Sequence, residues 1–189
     1  MNKYLGVAAI ALLLTALSGC ISTKESVFTE EYSPEKELNQ RVDLARQYIG
    51  KGDWENAKRN LRLAYDVDPK NAYVYEAFGL VYQSTGEFEL AEDSYERALQ
   101  IDSNFSRARN NYAAFLFTQQ RFEEAEEQLE IVVKDTLYPG RPLAFVNLGL
   151  CRVQLFDPEG AEEAFVRALA MDRTNSIALL EMAEIRFNA

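Results

Sequence analysis

The chain has 189 residues, of which 20 are basic and 30 are acidic, so its formal net charge is −10. This acidic balance argues against a nucleic-acid partner, because phosphate binding requires a basic protein surface. The sequence contains no histidine, which excludes histidine-based acid–base catalysis and the usual zinc sites.

The N-terminal segment has the pattern of an exported protein. Lys3 precedes an almost wholly apolar stretch at residues 4–17. As a helix this stretch spans about 21 Å, short of the roughly 30 Å hydrocarbon core, so we interpret residues 1–19 as a signal peptide. The segment ends in Leu-Ser-Gly-Cys at residues 17–20. This ending resembles a bacterial lipobox, and the alternative is an ordinary signal peptide with an incidental cysteine.

The lipobox resemblance implies that Cys20 is the first mature residue and carries acyl chains, palmitate among them. A single chain binds a membrane only marginally, whereas two or more hold a protein stably. Residue 21 is Ile rather than Asp, and the resemblance to bacterial lipoproteins then implies the periplasmic face of the outer membrane. We expect residues 20–36, which are polar and contain Pro34, to form the lipidated cysteine and a flexible tether reaching about 22 Å.

The helical part is best defined at residues 79–102, which predict two short helices joined by a turn. Three positions on the second helix fall at i, i+4 and i+7 and therefore share one face: Ala91, Tyr95 and Ala98. One hairpin cannot bury its own apolar face, so it needs neighbouring hairpins.

The same small-residue positions recur along the chain in steps of 34, 34 and 36 residues. On the first helices they are Ala45, Gly79, Ala113 and Gly149. Near the start of the second helices they are Ala57, Ala91, Ala125 and Ala161. Seven residues further along the second helices, on the same face, they are Ala64, Ala98, Val132 and Ala168.

A period of 34 with these small residues is similar to the tetratricopeptide repeat. The turn-to-helix segments 52–57 and 86–91 also resemble that family, as does Asp-Val-Asp-Pro at residues 66–69. The resemblance implies an all-α tetratricopeptide-repeat solenoid of about four and a half repeats over residues 37–189. It also implies a concave face, built from the first helix of each hairpin, that binds segments of partner proteins.

We place the repeats near 38–71, 72–105, 106–141 and 142–175, with a partial repeat at 176–189. The predicted helices cover residues 37–50, 54–67, 71–84, 88–101, 105–118, 122–135, 142–155, 158–171 and 175–187. Asp53 and Asp157 are predicted N-caps, and Pro158 fits a first helical turn. The two extra residues fall within 134–142, where Pro139-Gly140 is a turn signal that should tilt the fourth hairpin.

The last predicted helix is apolar on several sides, with Ile177, Leu180, Met182 and Ile185. A helix that caps an array should have a polar outer face. We therefore expect the chain to be a piece of a longer array, and the alternative is that this helix is the cap.

The sequence contains none of the following common catalytic motifs: a Gly-rich phosphate-binding loop, a Ser/His pair or a paired-Cys motif. We therefore predict neither an enzyme nor a cofactor, metal or small-molecule substrate. The many carboxylates of the second helices are expected on a solvated outer face. Cys151 is interpreted as a buried small apolar residue rather than a reactive thiol.

A partner-binding groove is predicted on the first helices of the third and fourth repeats. Leu143, Val146, Leu150 and Val153 recur at spacings of 3–4 residues on the side of their helix opposite to Phe145 and Leu148, and Phe117 faces the same way. An exposed apolar patch usually marks a binding site, and the alternative is that these residues form core. Asn110 and Asn111 either hydrogen-bond a peptide backbone or are simply solvated or capping neighbours. The corresponding places in the first two repeats are more polar: Asn39, Arg46, Glu76 and Gln83.

Taken together, the lipobox, the tether, the repeats and the Tyr138-Pro139-x-Arg141 insertion resemble the type IV pilus biogenesis and stability lipoproteins, the pilotins of pilus secretins. The chain has fewer repeats than that family usually carries. The resemblance implies binding of secretin subunits and support of their outer-membrane localisation and assembly. The alternatives are a periplasmic scaffold lipoprotein for cell-wall or outer-membrane assembly, and a lipoprotein subunit of an enzyme complex.

Overall fold

The computed structural model describes residues 33–188, and this part of the chain forms nine α-helices and no strand. The predicted all-α array of hairpins is confirmed. The predicted signal peptide, Cys20 and most of the tether lie outside the described residues. The helices are α1 (Pro34–Gly50), α2 (Trp54–Val67), α3 (Ala72–Thr85), α4 (Phe88–Ile101), α5 (Ser106–Thr118), α6 (Phe122–Val132), α7 (Arg141–Gln154), α8 (Pro158–Met171) and α9 (Ser176–Asn188).

Helix ends follow local capping chemistry. The Asp53 and Asp157 side chains accept hydrogen bonds from the backbone N–H groups of Asn56 (3.2 Å) and Gly160 (3.0 Å), which confirms both predicted caps. The start of α1 was predicted too late. Ser33 caps it, and a proline in its first turn is compatible with a helix start. The last three residues assigned to the tether, 34–36, are therefore helical.

The helices stack as hairpins. Each first helix packs against the second helix of its own hairpin, and α1, α3, α5 and α7 also contact one another in sequence. These four helices form one continuous side of the array, the first-helix face. The second helices α2, α4, α6 and α8 lie on the opposite side, the second-helix face.

Small residues permit the close helix contacts within hairpins. A Cβ atom at Gly79 would lie 2.6 Å from the Tyr95 ring, and one at Gly149 would lie 2.5 Å from the Phe165 ring. All the alanine positions of the three recurring series, and Val132 with them, have no exposed surface. The predicted register is therefore confirmed.

The junction between the third and fourth hairpins departs from the prediction. Helix α6 ends at Val132 rather than residue 135, because the chain tightens there and the Val133 carbonyl accepts a hydrogen bond from Arg141 Nε at 2.7 Å. Asp135 leaves the helix, and its carboxylate accepts hydrogen bonds from the Ser106 hydroxyl and the Leu137 N–H. These contacts hold the two-residue insertion against the third hairpin.

Candidate functional site

The residues of the predicted groove divide into three environments. Val146 has no exposed surface and packs with Phe165 and Ala178, so the prediction that it lines a groove is wrong. The reason is that α8 and α9 cover this side of α7. Leu150 and Val153 are half-buried at the edge of the same cluster, and Leu143 is 50% exposed.

An apolar pocket lies between α5 and α7 on the first-helix face. Its volume is about 210 Å³, and Phe117, Leu150 and Asn147 contribute to its lining. The Phe117 ring is held edge-on against Phe122 with a centroid separation of 5.1 Å. The structure therefore brings two of the predicted groove residues, Phe117 and Leu150, into one concave site.

Cys151 also lines the apolar pocket, and its side chain is fully buried. Burial, together with the smaller effect of the nearby Glu126 carboxylate, raises the pKa of the thiol to about 12. A thiol held neutral is a poor nucleophile. The interpretation of Cys151 as a buried apolar residue is confirmed.

The two predicted asparagines connect neighbouring first helices. Asn147 Nδ2 on α7 donates to Asn110 Oδ1 on α5 at 3.3 Å, and Asn110 is buried. Asn111 Nδ2 donates to Glu76 Oε1 on α3 at 2.6 Å. Asn110 is therefore a structural link, whereas Asn111 is half-buried and belongs to a larger polar group on the same face.

That polar group is built around Glu76, whose side chain has no exposed surface. Arg46 from α1 pairs with its carboxylate, and Arg107 Nε from α5 lies 3.7 Å from Glu76 Oε1. A buried carboxylate is costly unless it is paired and hydrogen-bonded, so the three first helices are tied together by this one side chain.

The two arginines also line a second concavity, the arginine pocket. Its volume is about 370 Å³, and Asn39, Asp43 and Tyr73 complete the rim. The Arg107 guanidinium lies over the Tyr73 ring at 5.4 Å, and its buried Nε finds no hydrogen-bond acceptor in the described part of the chain. The Arg107 side chain as a whole is 39% exposed, and a guanidinium at the surface of a pocket suits a carbonyl or carboxylate oxygen of a bound segment.

Sequence reasoning missed the arginine pocket. The signal was present as Arg46, Glu76 and Arg107, which lie on first helices at separations of 30 and 31 residues, close to one repeat period. Within any single helix these residues indicate only a polar position. The opposite charges become neighbours when the helices stack.

The second-helix carboxylates lie on the outer side as predicted, and several join neighbouring repeats. Arg121 pairs with Glu92 of α4 at 2.5 Å, and Arg152 pairs with Glu126 of α6 at 2.7 Å. Among residues 33–188 no cluster of side chains is arranged to hold a metal ion. No helix in that range combines the length and apolar character needed to cross a membrane.

Comparison with known proteins agrees with this architecture. Sequence profiles of the tetratricopeptide repeat match residues 42–104 and 115–176, and another profile of the repeat matches residues 82–136. The chain is 35% identical over 181 residues to the type IV pilus assembly protein PilF of Pseudomonas aeruginosa, covering 95% of this chain and 72% of that protein.

Two solved structures also match. One, from a functional characterisation of Pseudomonas aeruginosa PilF, superposes with a TM-score of 0.80 at 37% identity, over 82% of this chain and 70% of that one. The other is PilW, described as a widely conserved type IV pilus biogenesis factor, with a TM-score of 0.75 at 27% identity, over 80% and 70% of the two chains. The chain therefore belongs to the tetratricopeptide-repeat proteins and, among them, to the family of the type IV pilus assembly protein PilF.

Proposed function

We propose that this protein is a lipoprotein of type IV pilus biogenesis that binds secretin subunits through its first-helix face. In this role it supports their localisation and assembly at the outer membrane. The observation that carries the proposal is the 35% identity to PilF, which extends over 95% of the chain.

The first-helix face supplies two kinds of contact for such a partner. The apolar pocket beside Phe117 and Leu150 accepts an apolar side chain, whereas Arg46 and Arg107 offer donors to a backbone or carboxylate oxygen. Both concavities are built on packed helices rather than loops. Binding therefore requires little additional ordering of this protein, and most of the conformational entropy lost on binding is that of the partner segment.

The lipid anchor at Cys20 supplies localisation. With several acyl chains the protein stays on the membrane, and a tether of roughly 20 Å, shortened by the helical residues 34–36, lets the array meet subunits arriving near the surface. Replacing Cys20 with Ala should shift the protein out of the outer-membrane fraction. If the Cys20→Ala protein is still matured and fractionates with the outer membrane, the anchor assignment is wrong.

Co-purification from the native host tests the binding function. We expect the full-length tagged protein, cross-linked in cells, to recover the pilus secretin, and we expect a deletion strain to lose secretin multimers. A deletion strain with normal secretin multimers, together with a tagged protein that recovers no secretin, would overturn the proposal.

A further inference from the structure

A third concavity lies on the second-helix face, away from both pockets described above. It is a cleft of about 630 Å³ between α6 and α8, with α7 at its base. Phe145, Leu148 and Met171 contribute an apolar floor, while Lys134, Arg141 and Arg167 stand at the rim. We name it the basic cleft.

The insertion creates the room for this cleft. The other second helices run for 14 residues, but α6 runs for 11 and ends at Val132. Val133 and Lys134, the residues that directly follow the shortened helix, line the cleft. Arg141 closes the end of the gap, because its Nε donates to the Val133 carbonyl and its guanidinium lies 5.4 Å from the centre of the Phe145 ring.

The charges at the cleft are unusual for this chain. Arg152 is already paired with Glu126 and Glu130, whereas Lys134 and Arg167 form no ion pair with any residue of the described range. Together with Arg141 they face one unpaired carboxylate, that of Glu163. A positive rim above an apolar floor therefore occurs on a protein whose overall charge is −10.

We propose that the basic cleft binds a segment of a partner protein in which an apolar side chain lies between carboxylates. The apolar floor buries the side chain, and the arginines at the rim offer carboxylates the paired donors that guanidinium groups provide. Glu163 on the same rim disfavours a dense polyanion such as a phosphate surface. This second site is independent of the first-helix face, so one array holds two segments at once.

The test uses the full-length protein in detergent micelles and a labelled peptide, acetyl-Glu-Leu-Phe-Leu-Glu amide. Its matched control peptide carries Gln in place of both Glu residues. By fluorescence anisotropy at low salt, we expect the acidic peptide to bind at least tenfold more tightly than the amide peptide. Arg167→Glu and Lys134→Glu should each weaken binding of the acidic peptide at least tenfold.

Arg97→Glu provides the matched control variant, because Arg97 holds in α4 the place that Arg167 holds in α8, each directly before a buried alanine. We expect this variant to bind the acidic peptide like the wild type. Equal binding of the two peptides, or an equal loss in Arg97→Glu, would overturn the proposal.

Two further outcomes would also overturn it. One is a dimer, seen by sedimentation, that Arg167→Glu abolishes, since the cleft would then hold a second copy of the chain. The other is displacement of the peptide by dihexanoyl-phosphatidylglycerol at concentrations below those of the unlabelled acidic peptide, since the cleft would then be a lipid site.

Discussion

At the scale of single residues, the fold depends on a few positions that tolerate no additional atom. Gly79 and Gly149 lie directly under the rings of Tyr95 and Phe165. Both could be predicted from sequence, because small residues recur there at the repeat period. Their aromatic partners sit at the matching place of the second helices, 16 residues further on in each case.

We expect Gly79→Ala to destabilise the protein by about 1–3 kcal/mol, the usual cost of overpacking, because the new Cβ would overlap the Tyr95 ring. Gly50→Ala is the matched control, since nothing lies within 4 Å of a Cβ at that position. Thermal unfolding followed by circular dichroism measures both. A Gly79→Ala protein as stable as the wild type would mean that α3 and α4 do not pack at this place.

The turn between the two helices of a hairpin contains a position suited to glycine, and in the fourth repeat a large residue occupies it. Gly52 and Gly86 have φ values of 71° and 80°, and Phe156 occupies the same place in the fourth repeat with φ of 60°. The Phe156 side chain is 93% exposed, so it gains nothing from packing. The left-handed conformation costs about 1–2 kcal/mol for a residue with a Cβ.

We therefore expect Phe156→Gly to stabilise the array by roughly 0.5–1 kcal/mol, the strain released less the entropy that glycine loses on folding. Gly86→Ala, the reverse change in the second repeat, should lower stability by about 1 kcal/mol. Urea denaturation of both variants measures these differences. If Phe156→Gly were less stable than the wild type, the side chain would have a contact that its exposure does not indicate.

At the scale of elements, most predicted helix boundaries lie within one residue of those in the structure, and two, the start of α1 and the end of α6, differ by three residues. The predictions for α2, α4 and α8 were correct at both ends, because caps and turn residues act locally. The early end of α6 was missed, since it depends on Arg141 reaching back eight residues to the Val133 carbonyl. The start of α1 differs because a proline in a polar stretch predicts a linker, whereas Pro34 lies in the first turn of the helix.

Stacking of the first helices depends on Glu76. We expect Arg46→Met to destabilise the array by about 3 kcal/mol, because it removes the closest cation from a fully buried carboxylate. Arg41→Met is the control on the same helix; its pair with Glu37 is partly exposed, and losing it should cost under about 1 kcal/mol. Equal stability losses by chemical denaturation would show that burial of Glu76 does not matter.

At the scale of the whole molecule, the array and its register followed from sequence, whereas the binding surface did so only in part. Phe117 and Leu150 line one pocket, as predicted for a groove. Val146 does not line it, because α7 is apolar on two sides and α8 and α9 cover the side that carries Val146. The arginine pocket was missed since its members come from three repeats and only stacking brings them together.

The response to acid is also a property of the whole array. Hydrogen bonds lower the pKa values of the carboxyl groups of Asp53, Glu87 and Asp135. The donors are Asn56, Lys58 and Ser106, respectively. Because the folded pKa values are depressed, their stabilisation is present above the unfolded values, near 3.8 for Asp and 4.5 for Glu, and is lost as pH falls below them.

We therefore expect the melting temperature to be nearly constant from about pH 7 to pH 5 and to fall below about pH 4.5. Asp135→Asn should be less stable than the wild type at pH 7, and the difference should shrink at about pH 3, because Asp135 of the unfolded wild-type chain is then largely protonated and the stabilisation that its lowered folded pKa provides is partly lost. A difference that stays the same at both pH values would show that the pKa of Asp135 is not depressed in the folded protein.

The central claim is that the first-helix face binds the pilus secretin, and Leu150 in the apolar pocket tests it most directly. The measurement is the dissociation constant of purified secretin for the full-length protein, with circular dichroism of every variant. We predict that Leu150→Glu folds normally yet loses at least ~2 kcal/mol of binding, roughly thirtyfold. Leu90→Glu, on the second-helix face with a side chain 48% exposed, should bind like the wild type. Unfolding of Leu150→Glu, or binding equal to that of the wild type, would contradict the account.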